Sequence, residues 1–68
     1  MPLPENILLE MKVKIEEGEK AIKDIEDIVE DLRASGIDAS RQEDELRSAK
    51  EILRKAKSVY ELQRKRIS

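Results

Sequence analysis

Ala34-Ser35-Gly36-Ile37-Asp38-Ala39-Ser40-Arg41-Gln42-Glu43 places a helix stop directly before a helix start, and its reading decides the fold of this 68-residue chain. Gly36 is the residue that adopts a left-handed backbone without steric cost, and Ile37 supplies the apolar side chain that often packs back on a helix's last turn. Asp38 can then cap a new helix. Ser40-Arg41-Gln42-Glu43 has the spacing of a capping box, so two caps compete for one helix start.

Outward from this reversal, nothing breaks a helix on either side. The only prolines, Pro2 and Pro4, lie at the start, so a first helix is predicted from about 5 to 35. The turn covers about 36 to 38 and a second helix about 39 to 66, with Glu43, Asp44 and Glu45 in its first turns and Arg64, Lys65 and Arg66 in its last complementing the helix dipole. A connection this short makes the helices antiparallel neighbours. Residues 1 to 68 therefore read as one all-α domain, an antiparallel two-helix coiled-coil hairpin.

Both helices carry the three-and-four spacing of a coiled-coil seam. In the first it comprises Leu8, Met11, Ile15, Gly18, Ile22, Ile25, Val29 and Leu32; in the second, Leu46, Ala49, Leu53, Ala56, Tyr60, Gln63 and Ile67. The expected layers pair Leu32 with Leu46, Val29 with Ala49, Ile25 with Leu53, Ile22 with Ala56, Gly18 with Tyr60, Ile15 with Gln63 and Met11 with Ile67. Gly18 would then leave room for the Tyr60 ring; the competing reading makes Gly18 a local bend.

Charge supports the same pairing. Residues 1 to 40 carry 5 basic and 11 acidic side chains, net −6, and residues 41 to 68 carry 9 and 5, net +4. Along one flank Glu26 should meet Lys50, Glu19 meet Lys57 and Arg33 meet Glu43, with Lys12 against Arg64 the one unfavourable pair. The opposite flank is apolar in its middle, where Ile28 is expected to face Ile52 and Ala21 to face Val59, with Lys14 and Arg66 closing the open end.

Ala21, Ile28, Ile52 and Val59 are accordingly the predicted dimer interface. One helix–helix seam buries too little to order a chain of this size, and a second hairpin would complete a twofold four-helix bundle. A higher homo-oligomer is the other form of self-assembly considered. Leu3, Ile7 and Leu9, with Val13 and Leu62, lie off the seam and either brace the bundle's ends or offer a second protein a site.

Composition excludes several classes. Cysteine and histidine are absent, which removes disulfides, the usual zinc and haem sites and imidazole catalysis. The carboxylates Glu16, Glu17, Glu19, Asp24, Glu26, Asp27, Glu30 and Asp31 stand outside an aliphatic seam, unlike the inward acids of di-metal bundles. Ser35, Ser40, Ser48, Ser58 and Ser68 have no base to activate them, and no Gly-rich phosphate loop surrounds Gly18 or Gly36. No catalytic residue, cofactor or metal is expected. No apolar run approaches a membrane span and Met1-Pro2-Leu3-Pro4-Glu5-Asn6 lacks a basic signal-peptide region, so the cytoplasm is the default location. Heavy use of Glu, Lys, Arg and Ile leans towards a thermophilic source.

Two functions follow. The first is a non-enzymatic protein–protein association module. The alternative is an RNA- or DNA-binding hairpin using Arg54, Lys55, Arg64, Lys65 and Arg66, against which stand a net charge of −2, a pI near 5.2 and a single aromatic residue, Tyr60. In size and plan the chain resembles the small plasmid-encoded RNA-binding hairpins that dimerise into four-helix bundles, a likeness of architecture with no shared motif.

Overall fold

The computed structural model describes residues 4 to 67, with only the backbone of Ile67. Leu3 and the Ile67 side chain, both given roles above, lie outside the described residues. The chain is all-helical: α1, Glu5–Ala34, packs against α2, Ser40–Ile67. Pro4 precedes α1 at φ −58°; its carbonyl accepts the amides of Ile7 at 3.0 Å and Leu8 at 3.2 Å, and the amide it lacks is not needed there.

The reversal is a Schellman turn. Ile37 N donates to Leu32 O at 2.8 Å and Gly36 N to Arg33 O at 3.0 Å, satisfying carbonyls the helix end leaves without partners. Gly36 has φ +74°, the left-handed region that disfavours a Cβ. The two caps are now distinguished. Asp38 Oδ1 accepts the Ser40 amide at 3.0 Å and the Ser40 hydroxyl at 2.6 Å, while Glu43 turns away to Arg33. The Ser40–Glu43 capping box is therefore not made. Ile37 also departs from expectation: it stays 54% exposed, and Ala39, at 3%, is the residue buried beneath the turn.

The seam positions are the covered ones. Leu8, Ile15, Ile22 and Val29, seven residues apart, are buried, and Met11, Gly18, Ile25 and Leu32 are half-buried. On α2, Leu46, Ala49, Leu53, Ala56, Tyr60 and Gln63 are half-buried, and among the described residues no α2 side chain is buried. One helix supplies a core and the other only a cover.

The layers differ from those expected. Val29 lines a cleft with Leu46, Ile22 one with Leu53, and Ile15 one with Tyr60. A Cβ placed on Gly18 would meet Leu53 Cδ1 at 3.3 Å, with no Tyr60 atom within 4 Å among the described residues, so Gly18 does not make room for the ring. The cause is the turn. Helix ends Ala34 and Ser40 are equidistant from Ile37, so residues equidistant from position 37 lie level; the expected layers place the fold at position 39. In the observed register Gly18 comes level with Ala56 and Ile25 with Ala49, all four lining one groove, and Gln42 is half-buried. Gly18 and Ala56 thus make one small layer between the bulky Ile22–Leu53 and Ile15–Tyr60 layers.

The flank of ion pairs survives this half-heptad change because long side chains reach a turn along the helix. Lys57 Nζ stands 3.2 Å from Glu19 Oε2, Lys50 Nζ 3.5 Å from Glu26 Oε2, and Arg33 Nε donates to Glu43 Oε1 at 2.8 Å. Lys12 and Arg64 share a cleft with Glu16 and Glu61, and Arg64 lies 3.8 Å from Glu61, so carboxylates separate the like charges.

The hairpin is a rod of 50 × 15 × 13 Å with a radius of gyration of 15.6 Å, against about 11 Å for a compact chain of this length. It exposes 5527 Å², where a compact monomer of its mass exposes about 4,400 Å².

Candidate functional site

The flank opposite the ion pairs is an open apolar groove of about 800 Å³. Its floor follows from the register. Gly18 and Ala21 on α1 and Ala49 and Ala56 on α2 all line it, and the small layers leave the seam uncovered on this side. Ile7, Met11, Ile15, Ile22 and Ile25 form one wall, Ile52 and Leu53 the other, and among the described residues Glu10 and Lys14 are its only charged lining residues.

Of the four residues assigned to an interface, Ala21 and Ile52 line this groove. Ile28 and Val59 do not line it; they stand exposed by 52% and 48%. Ala21 and Ile52 are thus the two that share the groove lining. Ile52 is the most exposed of the large apolar side chains, at 68%. Leu62, one turn beyond Val59 on α2, extends the exposed apolar edge, whereas Leu9 and Val13 are exposed on the outer side of α1, away from the groove. Of the three residues considered for a second protein, Ile7 lines the groove and Leu9 does not; Leu3 is not described.

The basic residues of α2 are exposed and spread around the helix. Arg64, Lys65 and Arg66 are consecutive and point about 100° apart, while Arg54 and Lys55 lie more than two turns away. Arg54 is hydrogen-bonded to Glu51 and Lys55 Nζ is 4.0 Å from the same carboxylate. That bond to Arg54, reinforced by its charge, holds Glu51 below the usual carboxylate range and raises Arg54. Arg41 pairs with Glu45 at 3.2 Å and Arg47 with Asp44 at 3.3 Å, and Lys65 has a partner as well. Arg41, Arg47, Arg54, Lys55 and Arg64 are thus brought to carboxylates of their own chain.

Ser40 donates to Asp38 and Ser58 to the Arg54 carbonyl at 3.1 Å. Among the described residues no cluster of three acidic side chains is arranged to hold a metal ion, and no helix is long and apolar enough to cross a membrane. The floor of the groove is the part missed in the sequence, although the spacing of Gly18, Ala21, Ala49 and Ala56 about position 37 carried the signal. No protein family, characterised protein or solved structure matches the chain.

Proposed function

We propose that the hairpin is a non-enzymatic association module whose groove is closed by a second copy of the chain, giving a homodimeric four-helix bundle that acts in the cytoplasm. The observation that carries this reading is the asymmetry of burial. α2 has 28 residues and no buried side chain among those described, yet presents Ile52 at the lip of an apolar groove. A helix gains most of its stability from packing an apolar face, and α2 packs only half of one. The surplus of exposed surface over a compact monomer, about 1,100 Å², is the size one subunit contributes to a stable interface, about 800 Å². Small floor residues on one copy and Ile28, Ile52 and Val59 standing proud on the other suit a self-complementary joint.

Sedimentation equilibrium tests this. The chain should run at twice its 7.9 kDa mass, and Ile28→Lys with Ile52→Glu should shift it to monomer. Leu9→Lys, outside the groove, should leave the dimer intact. A monomeric parent chain, or a double variant that dimerises as tightly as the parent, refutes the reading. Nucleic-acid binding gains no support from cations already paired with carboxylates; retention on RNA that collapses with salt and with Arg64, Lys65 and Arg66 changed to Ala would establish it instead.

A further inference from the structure

Resting on that reading, we infer how the second copy lies: α1 packs against the partner's α2, with the twofold axis along the helices and both turns at the same end. The argument starts from the outer border of the groove. On α1 the helical repeat places Glu10, Glu17, Asp24 and Asp31 in one exposed column, seven residues apart, beside the groove-side positions Lys14, Ala21 and Ile28. On α2 the corresponding column is Arg41, Ser48, Lys55 and Leu62, beside Ile52 and Val59.

Two hairpins stacked face to face have two ways to obey twofold symmetry. With the axis across the helices, α1 lies along its own copy and the turns point to opposite ends. The four carboxylates of one α1 column then face the same four carboxylates, running the other way. On the far side Arg41 and Lys55 face their own kind. Like charges set directly opposite are destabilising, and here every polar position of the α1 column meets its own sign.

With the axis along the helices, each α1 neighbours the partner's α2 and no residue changes its level along the rod. The levels of a single hairpin therefore apply between copies. Asp31 comes within two residues, about 3 Å along the rod, of the level of Arg41 of the partner subunit, and Glu17 as near that of Lys55 of the partner subunit, distances that long side chains span; symmetry makes four such pairs. Asp24 meets the uncharged Ser48 of the partner subunit. The acidic first half of the chain, net −6, lies on the basic second half, net +4, between copies as well as within one. Both turns, each with an exposed Ile37, share one end of the bundle and both open ends share the other.

Two measurements decide it. The chain has no cysteine, so Ser35→Cys gives one spin-label site per copy, at the turn. Dipolar spectroscopy should show a distance below about 30 Å, two or three helix spacings plus the label arms; a distance near the 50 Å rod length overturns the orientation while preserving the dimer. Absence of any intermolecular distance overturns self-association itself. Independently, Glu17→Lys with Asp31→Lys should raise the dimer Kd by about three- to tenfold, and adding Arg41→Glu with Lys55→Glu should restore it. Tighter association of the first double variant means the acidic columns face each other, and refutes the arrangement.

Discussion

The same substitution, glycine to alanine, should change stability in opposite directions at the two glycines. At Gly36 a Cβ would have no heavy atom within 4 Å, so the effect is purely that of the backbone at φ +74°. A left-handed residue with a Cβ costs roughly 1–2 kcal/mol, which lowers the melting temperature of a domain this small by about 4–16 °C. Gly36→Asn should lose less, because asparagine tolerates that region. At Gly18 the backbone is helical and alanine gains up to about 1 kcal/mol in helix propensity. The opposing contact is Leu53 Cδ1 at 3.3 Å, the tip of a half-buried side chain that yields a few tenths of an ångström more readily than backbone. A smaller net gain, about 0.5 kcal/mol, is expected. Thermal melts followed by circular dichroism at one protomer concentration measure both. Were Gly36→Ala to stabilise the chain as Gly18→Ala does, position 36 would be helical, and a reversal there would be untenable.

Two further outcomes test the turn and the flank. Asp38→Ala should lower the melting temperature through loss of the Ser40 bonds. Those bonds hold the Asp38 carboxyl below its ordinary value; a lowered folded-state pKa contributes stability that is fully present above the unfolded value and lost as pH falls through the folded one, below about pH 4. Asp38→Asn should therefore flatten the acid limb of a stability–pH curve; an unchanged limb contradicts the cap. Across the flank, Arg33→Glu and Glu43→Arg should each destabilise by about 0.2–1 kcal/mol, and the double exchange should recover most of it. Simple additivity of the two losses would show that the pair is not coupled.

What could be read in the sequence is local. Gly36 and Asp38 mark the reversal because their chemistry acts within a few residues, and the seam is visible because helical period alone selects which side chains share a face. The acid–base flank was legible too, for Lys50 and Lys57 find Glu26 and Glu19 across a tolerance of a full turn. Register was not. Shifting one helix by half a heptad keeps the same residues on the seam and the same charges in reach, so pattern alone does not separate layers centred on 39 from layers centred on 37. The length of the turn separates them, and it depends on where α1 ends. Gly18, near Leu53 rather than Tyr60, shows the difference.

That half-heptad has consequences beyond bookkeeping of neighbours. In the expected register Gly18 is filled by Tyr60 and Ala49 by Val29, so every layer holds one bulky residue and the seam is evenly closed. In the observed one Ile15, Ile22 and Val29 lie with Tyr60, Leu53 and Leu46, and Gly18 falls together with Ala56 in the layer between Tyr60 and Leu53, while Ala49 lies level with Ile25. Bulky layers hold the helices together and bury the aliphatic row of α1 on both sides. Small layers contribute little within one hairpin, but their emptiness is confined to the flank where charge is scarce and Ile52 is exposed. Glycine inside a helix and alanine at a seam position weaken a hairpin that stands alone. In the proposed dimer a larger side chain from the second copy would complete the layer, and the small residues support that proposal alongside the exposed Ile52.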